Sequence, residues 1–272
     1  MILGIIITPF VLIVLLAYIF LIAPARKRRY SLPEKGYAHR GLWNEKLPEN
    51  SIPAFSAAVD NGFGIECDVQ LTKDGKPIIF HDDTLIRMCG VDKRVCELTL
   101  DEIKKLKLAD SEHAIPTFEE FLECVSGKVP LLIELKGVTF DTSLCDTIVP
   151  ILDGYEGEFV IESFNPILLG QMKDLRPDFT RGQLVTVLNR EKNGASQGFI
   201  KNFLLAALMT NFISRPDFIS YDKKYPNGIS LFLTTRVFGA KSCVWTVNNE
   251  KEYQNAIKKG VCPIFDGFTP EK

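Results

Sequence analysis

The stretch 64–83, GIECDVQLTKDGKPIIFHDD, holds two short apolar runs separated only by LTKDGK. A parallel crossover needs a dozen residues or more, so a gap this short makes the two runs a hairpin. Asp74-Gly75 suits a type I′ turn, because both residues tolerate positive backbone angles. Side chains alternate along a strand, which puts Glu66 and Asp68 on one face and Cys67 on the other. A two-residue loop at Asp74-Gly75 sets Lys73 opposite Lys76 and Asp68 opposite His81, and opposed residues share a face. A register error of two would set His81 opposite Glu66 and leave the same outcome. Two acids and an imidazole then converge where a sheet built only for stability would carry apolar residues.

With the second arm of the hairpin set aside as an excursion, eight apolar runs remain: 36–40, 64–69, 130–136, 158–164, 181–187, 217–222, 241–248 and 263–268. Helical stretches separate them, which implies parallel βα units and a (β/α)₈ TIM barrel, an α/β fold. Asn50-Ser51 offers an N-cap for a helix carrying Ile52, Phe55, Ala58 and Val59, and Pro116-Thr117 opens FEEFLECV. The run FIKNFLLAALMTNFI, 199–213, is apolar on nearly all sides. It reads as a barrel helix packed on the sheet in preference to a membrane-contacting one.

Two carboxylates in a barrel mouth cannot both stay ionised and unpaired without large cost, so a bound cation is implied. Oxygen ligands favour Mg²⁺ or Ca²⁺ over zinc. A third acid, Glu134, sits inside the apolar run LLIELK, where a salt-bridged surface carboxylate, the usual fate of a lone acid, does not fit. Lys136 is two residues on and shares its face. His39-Arg40-Gly41 ends the first strand, on the side where such barrels keep their chemistry. Of the three histidines, His39 and His81 fall at strand ends facing one mouth and suit acid and base roles near neutrality. Arg40 and Lys136 suit a phosphate. His113 lies in a polar segment and receives no role.

The chain of 272 residues has a formal net charge of -2 and 46% hydrophobic residues, which excludes both a basic nucleic-acid binder and an acidic disordered protein. Residues 1–24 form an unbroken apolar run, long enough for one transmembrane helix, with Pro9 tolerable inside it. A basic linker, 25–35, follows with Arg26, Lys27, Arg28 and Arg29. The positive-inside rule then makes the protein a single-pass membrane protein with the domain 36–272 on the cytoplasmic side. Ala-Pro-Ala at 23–25 raises a secretory signal as the competing reading, but the basic n-region is missing and the apolar run is too long. Seven cysteines without CxxC spacing suit a reducing compartment and small buried apolar side chains.

From about residue 36 to 270 the chain resembles the glycerophosphodiester phosphodiesterases: AHRG, PENSIPAF, ECDVQLTKDGKPIIFHD, ELTLDEIKKL, IPTFEEFL, IELKG, IESFN and VWTVN occur in order. The resemblance implies a (β/α)₈ barrel with one divalent cation held by Glu66, Asp68 and Glu134. It also implies His39 and His81 as the acid/base pair, Arg40 and Lys136 at the phosphate, and Phe164 and Trp245 near the alcohol. In that family the glycerol 2-hydroxyl is thought to attack phosphorus, the leaving alcohol is protonated, and water then opens the cyclic phosphate. One departure stands at the C-terminus, FDGFTPEK in place of DGIITDxP. Asp266-Gly267 and Thr269 remain, and an expected aspartate is missing. The function expected is hydrolysis of glycerophosphodiesters to sn-glycerol 3-phosphate and an alcohol. A lysophospholipase D-like or sphingomyelinase D-like action on lipids uses a similar set of groups. A non-catalytic binding barrel would have lost histidines or acids that are all present here.

Overall fold

The computed structural model describes residues 2–25, 30–137, 140–186, 199–225 and 228–271, with side chains omitted for 2–7 and 199. The strands in chain order are β1 (Tyr37–His39), β2 (Gly64–Leu71), β3 (Pro77–Ile79), β4 (Leu131–Leu135), β5 (Phe159–Ser163), β6 (Arg181–Val185), β7 (Phe218–Asp222), β8 (Lys241–Val247) and β9 (Cys262–Phe265). The helices are α1 (Ile2–Ile22), α2 (Ile52–Asn61), α3 (Ile86–Cys89), α4 (Leu100–Ile103), α5 (Phe118–Val125), α6 (Ser143–Asp153), α7 (Pro166–Leu175), α8 (Phe199–Ala206), α9 (Asn211–Ser214), α10 (Ile229–Phe232) and α11 (Glu250–Lys258). β1 pairs in parallel with both β2 and β9, which closes a barrel through β4 to β8. Only β3 runs antiparallel among the described strands, as a hairpin arm outside the closed ring. Each of the eight expected barrel strands is present, although Val187 at the end of the fifth lies outside the described residues.

Alternation divides the strand residues between two environments. Ile65, Cys67 and Val69 of β2, and Leu131, Ile133 and Leu135 of β4, point outward into the core shared with the helices. Phe55 of α2 and Phe121 of α5 meet there edge to face, 4.5 Å between ring centroids. The inward residues Tyr37, Leu132, Val160, Phe218, Cys243, Cys262 and Ile264 fill the barrel's lower half as a separate cluster. Four of the seven cysteines are buried and all are unbridged. Caps stop and start the helices where the sequence signals them: Ser51 Oγ accepts from the Ala54 N–H, and Thr117 with Glu120 forms a capping box before α5.

The hairpin register differs from the expected one. Val69 lies opposite Ile79 and Leu71 opposite Pro77. The ladder ends at the Thr72 N–H to Lys76 carbonyl bond, 3.0 Å, and the Gly75 N–H closes on the Thr72 carbonyl, 3.0 Å. The loop is therefore three residues, Lys73-Asp74-Gly75, with Gly75 alone at positive φ (72°). The Asp74 carboxylate accepts from Thr72 Oγ1 (2.7 Å) and the Leu100 N–H (2.9 Å), which fixes it within the three-residue turn. A one-residue slip turns every side chain over. Asp68 then faces Phe80, whose N–H donates to the Asp68 carbonyl at 2.9 Å, and strand pairing does not deliver His81 to the acids.

The run 199–213 is also not one helix. It breaks at Leu208, where φ is 55°, into α8 and α9, and α9 packs against α7 and α1. At the N-terminus the expected helix is found as α1, but among the described residues no helix is long and apolar enough to cross a membrane. The basic cluster Arg26, Lys27, Arg28 and Arg29 lies outside the described residues. α1 docks through its last turns: Asn211 Nδ2 donates to the Ile22 carbonyl (2.9 Å), and Arg215 donates to the carbonyls of Phe20 and Ala23 (2.8 and 2.9 Å).

Gly182 of β6 faces Phe218 across the sheet, and a Cβ placed on it would stand 2.2 Å from the ring. Overpacking of this kind costs about 1–3 kcal/mol. Gly182→Ala is expected to lower unfolding stability by that amount in denaturant titration, and adding Phe218→Leu should recover part of the loss.

Candidate active site

Parallel register places the inward acids side by side. His39 of β1 pairs in register with Glu66 of β2, Asp68 of β2 with Glu134 of β4, and Glu134 with Glu162 of β5. Glu66, Asp68 and Glu134 each bring a carboxylate oxygen within 4.8 Å of the others, and all three are buried. Lys136 Nζ stands between two of them, 2.8 Å from Asp68 Oδ1 and 2.9 Å from Glu134 Oε1. Asn50 Nδ2 donates to Asp68 Oδ2 at 2.8 Å, and the Arg40 backbone N–H donates to Glu66 Oε2 at 2.9 Å. Arg40 sits at φ 60°. That conformation turns its N–H onto Glu66 while its guanidinium reaches Glu49 (2.7 Å) and Asp68 (3.5 Å).

Burial and neighbouring charges both act on these groups, together on some and against each other on others. Burial raises the Glu66 carboxyl well above its ordinary range, and the neighbouring charges of Asp68 and Glu134 push the same way. Glu134 is pushed up to about 7, by burial first and Asp68 next among the raising influences, with Lys136 opposing. Burial also works against ionised Asp68, but Lys136, His81 and Arg40 outweigh it and hold this carboxyl well below the usual range. For Lys136 burial opposes the charge, and Asp68 with Glu134 more than restores it, so the ammonium is held above its ordinary value. The three carboxylates are hard oxygen donors crowded in a site that two cations neutralise only in part. This donor set fits one hard divalent cation.

Two imidazoles flank the acids. His39 Nδ1 lies 3.2 Å from Asp266 Oδ2, and its Nε2 lies 3.9 Å from Glu66 Oε2. His81 Nδ1 lies 2.6 Å from Asp82 Oδ1, and Asp82 is held in turn by Arg87 Nε at 2.6 Å. His81 arrives by leaving the hairpin: the chain departs from the ladder after Ile79, and Gln70 Nε2 donates to the carbonyls of Phe80 (2.7 Å) and Asp82 (3.0 Å) to hold the bend. Burial lowers its pKa; Asp68 pulls upward, and Lys136 and Arg40 push down. On the far wall Phe164 and Trp245 meet edge to face at 5.7 Å, and Phe164 is 39% exposed. Seven of the nine residues singled out in the sequence thus meet around the acids, and Phe164 and Trp245 pair with each other at the same end of the barrel.

Several neighbours escaped the sequence reading. Glu162 is 2% exposed, and burial with the charge of Glu134 raises its carboxyl well above the ordinary range. It carries the same signal that marked Glu134, an acid inside an apolar strand. Asn50 and Glu49 lie in PENS, which looked like a helix start only. Asp266, kept in the altered C-terminal segment, orients His39, a contact between β1 and the chain beyond β9 that no local pattern announces.

A closed parallel barrel whose mouth gathers buried acids, two carboxylate-backed imidazoles and two cations has the groups of a hydrolase acting on anionic esters. Residues 39–268 match the Glycerophosphoryl diester phosphodiesterase family, and the chain belongs to that family. It is 31% identical to the glycerophosphodiester phosphodiesterase of Caldanaerobacter subterraneus subsp. tengcongensis, over 82% of this chain and 90% of that one. A Bacillus altitudinis glycerophosphodiester phosphodiesterase is 27% identical over 86% of this chain and 94% of its own length. Among solved structures, an Oleispira antarctica phosphodiesterase in complex with the product sn-glycerol-3-phosphate superposes with a TM-score of 0.70 at 25% identity, covering 86% of this chain and 93% of that one. The Thermotoga maritima glycerophosphodiester phosphodiesterase gives 0.65 at 25% identity, over 88% and 96%. The chain is accordingly a glycerophosphodiester phosphodiesterase.

The acids set a pH signature for the metal-free protein. Glu134 binds its proton more tightly folded (about 7) than at its ordinary 4.5, so its contribution to stability is full below the lower value and lost as pH rises through the upper. Asp68 is lowered, so its contribution persists above its ordinary 3.8 and is lost only on further acidification. With chelator present, the melting temperature should fall between about pH 5 and pH 8. Added Mg²⁺ or Ca²⁺ should raise it more at the higher pH, where the ligands are deprotonated. Calorimetry with and without cation checks both expectations, and a cation effect independent of pH would contradict them.

Proposed function

We propose that this chain hydrolyses glycerophosphodiesters to sn-glycerol 3-phosphate and an alcohol, with His39 and His81 as the acid/base pair. The observation that carries this reading is shared by both imidazoles. Each commits Nδ1 to a carboxylate, Asp266 or Asp82, and so turns Nε2 toward the mouth. With Nδ1–H committed to a carboxylate, the neutral ring takes a proton at Nε2 and the imidazolium gives one there. His81, whose pKa burial lowers, is suited to accept the proton of the glycerol 2-hydroxyl as that oxygen attacks phosphorus. His39, entering the step as the imidazolium, gives its Nε2 proton to the departing alcohol oxygen and is left neutral. In the second step the roles reverse, and water opens the cyclic phosphate.

Glu66, Asp68 and Glu134 would hold one divalent cation, Mg²⁺ or Ca²⁺, which when bound supplies charge stabilisation for the phosphate oxygens. Arg40 and Lys136 would add charge-assisted hydrogen bonds to the same group. Phe164 and Trp245 form an apolar wall suited to the leaving alcohol. In this reading residues 1–24 anchor the protein through α1, 25–35 is a basic linker, and 36–272 is the catalytic domain. The apolar composition of α1, the exposure of residues 8–17 and the basic sequence after it support a single-pass arrangement with the domain on the cytoplasmic side.

His39→Ala and His81→Ala should each lower turnover of glycerophosphocholine about 10²–10⁴-fold with the fold retained, as read by coupled release of sn-glycerol 3-phosphate and by circular dichroism. Retained hydrolysis in both variants would refute the assignment. Product analysis with glycerophosphocholine, glycerophosphoglycerol and lysophosphatidylcholine side by side should show the first two consumed. Preference for the lysolipid would replace the substrate class proposed.

A further inference from the structure

α1 has a direction relative to the barrel, and that direction carries an inference beyond anchoring. The Ala25 N–H donates to the Pro216 carbonyl at 2.9 Å, at the N-terminal end of β7, which is the barrel floor. The Ile22 carbonyl accepts from Thr234 Oγ1 (3.4 Å), and the Tyr18 hydroxyl meets Ser230 Oγ at 2.8 Å. Ser230 opens α10, just after the chain emerges from the C-terminal end of β7, on the side of the mouth. α1 therefore climbs the outside of the barrel from floor to mouth when followed toward its own N-terminus. Exposure rises along it: Ile22 is buried and Tyr18 half-buried, whereas residues 8–17 are exposed.

Val14, Ala17 and Tyr18 border the rim, so the helix N-terminal to Val14 extends about 18 Å further at 1.5 Å per residue. A hydrocarbon core is about 30 Å thick. A stretch this short nears the far side only with the rim itself seated in the interface, where apolar side chains bury about 5–10 Å deep. The rim beside α1 is built for that. Phe203 of α8 and Ile229 of α10 are 47% and 68% exposed, and Ile200 is 73% exposed. Phe203 and Ile229 share with Val14, Ala17 and Tyr18 an open groove of about 930 Å³. Exposed Lys201 on α8 and exposed Lys224 in the turn after β7 suit anionic headgroups.

We propose that α1 and the apolar rim of Phe203, Ile229 and Ile200 form one lipid-contacting surface that holds the barrel with its catalytic mouth turned toward the bilayer. This rests on the reading of α1 as a membrane anchor. The occupant of the surface is the lipid bilayer, because the rim continues directly from a helix that is apolar on every face. In this pose Phe164 and Trp245 open near the headgroup layer, so the enzyme takes its water-soluble diesters close to where lipid deacylation releases them.

The test uses the full-length protein in vesicles of phosphatidylcholine and phosphatidylglycerol. Phe203→Cys, Ile229→Cys and Glu158→Cys are each made in a Cys96→Ser background and labelled with an environment-sensitive fluorophore, and the labelled Cys96→Ser parent serves as blank. Glu158 is exposed and precedes β5 at the floor. Brominated lipids should quench the labels at 203 and 229 by about half or more, given the depth expected of interfacial side chains, and leave the label at 158 unchanged. Protein that floats with vesicles while 203 and 229 stay unquenched would overturn the inference and leave the anchor standing. Equal quenching at 158 would overturn the orientation. Protein that does not float with vesicles would overturn the anchor and the inference together.

Discussion

Everything in the mouth depends on one buried ion cluster: Lys136 between Asp68 and Glu134, with Arg40 on Glu66 and Asp68. Five groups that each resist burial as ions share one low-dielectric volume, and the charge each can keep depends on the others. The arrangement tolerates Asp68 as a carboxylate while Glu66 and Glu134 are driven toward their protonated forms. With all three carboxylates ionised the site needs more positive charge than Lys136 and Arg40 supply, which suits a hard cation.

The barrel supplies this cluster at small cost in packing. Its lower half is sealed by Tyr37, Leu132, Val160, Phe218 and Ile264, and its outer face is covered by helices. The inward positions near the C-terminal strand ends are thus left to polar groups without loss of the main core. Parallel register turns residues distant in sequence into neighbours: His39, Glu66, Asp68, Glu134 and Glu162 come from four strands. Carboxylates outside the cluster, Asp266 and Asp82, then orient the imidazoles, so each histidine presents one nitrogen in a set tautomer.

The hairpin between β2 and α3 separates two kinds of sequence signal. Its existence follows from chain length, since six residues cannot make a parallel crossover. Its register does not. Asp74-Gly75 is compatible with two- and three-residue loops, and the bonds from Asp74 to Thr72 and to Leu100 of α4 select the longer one. The inference that strand pairing brings His81 over Asp68 was therefore incorrect, although His81 does reach the site. Gln70 and the bend after Ile79 put it there. Likewise, the break at Leu208 was hidden inside an apolar run whose composition favours a continuous helix.

By itself the sequence determined the barrel, the parallel order implied by its βα alternation, and the residue types of the site, because strand periodicity and the placement of acids in apolar runs are local properties. Tertiary structure alone decided the hairpin register, the recruitment of Glu162, Asn50, Asp82 and Asp266, and the direction in which α1 leaves the barrel. Asp82 is next in sequence to His81 and Glu162 sits in an apolar strand as Glu134 does, but their partners, like those of the other features, come from packing between segments, such as the 227 residues separating His39 from Asp266.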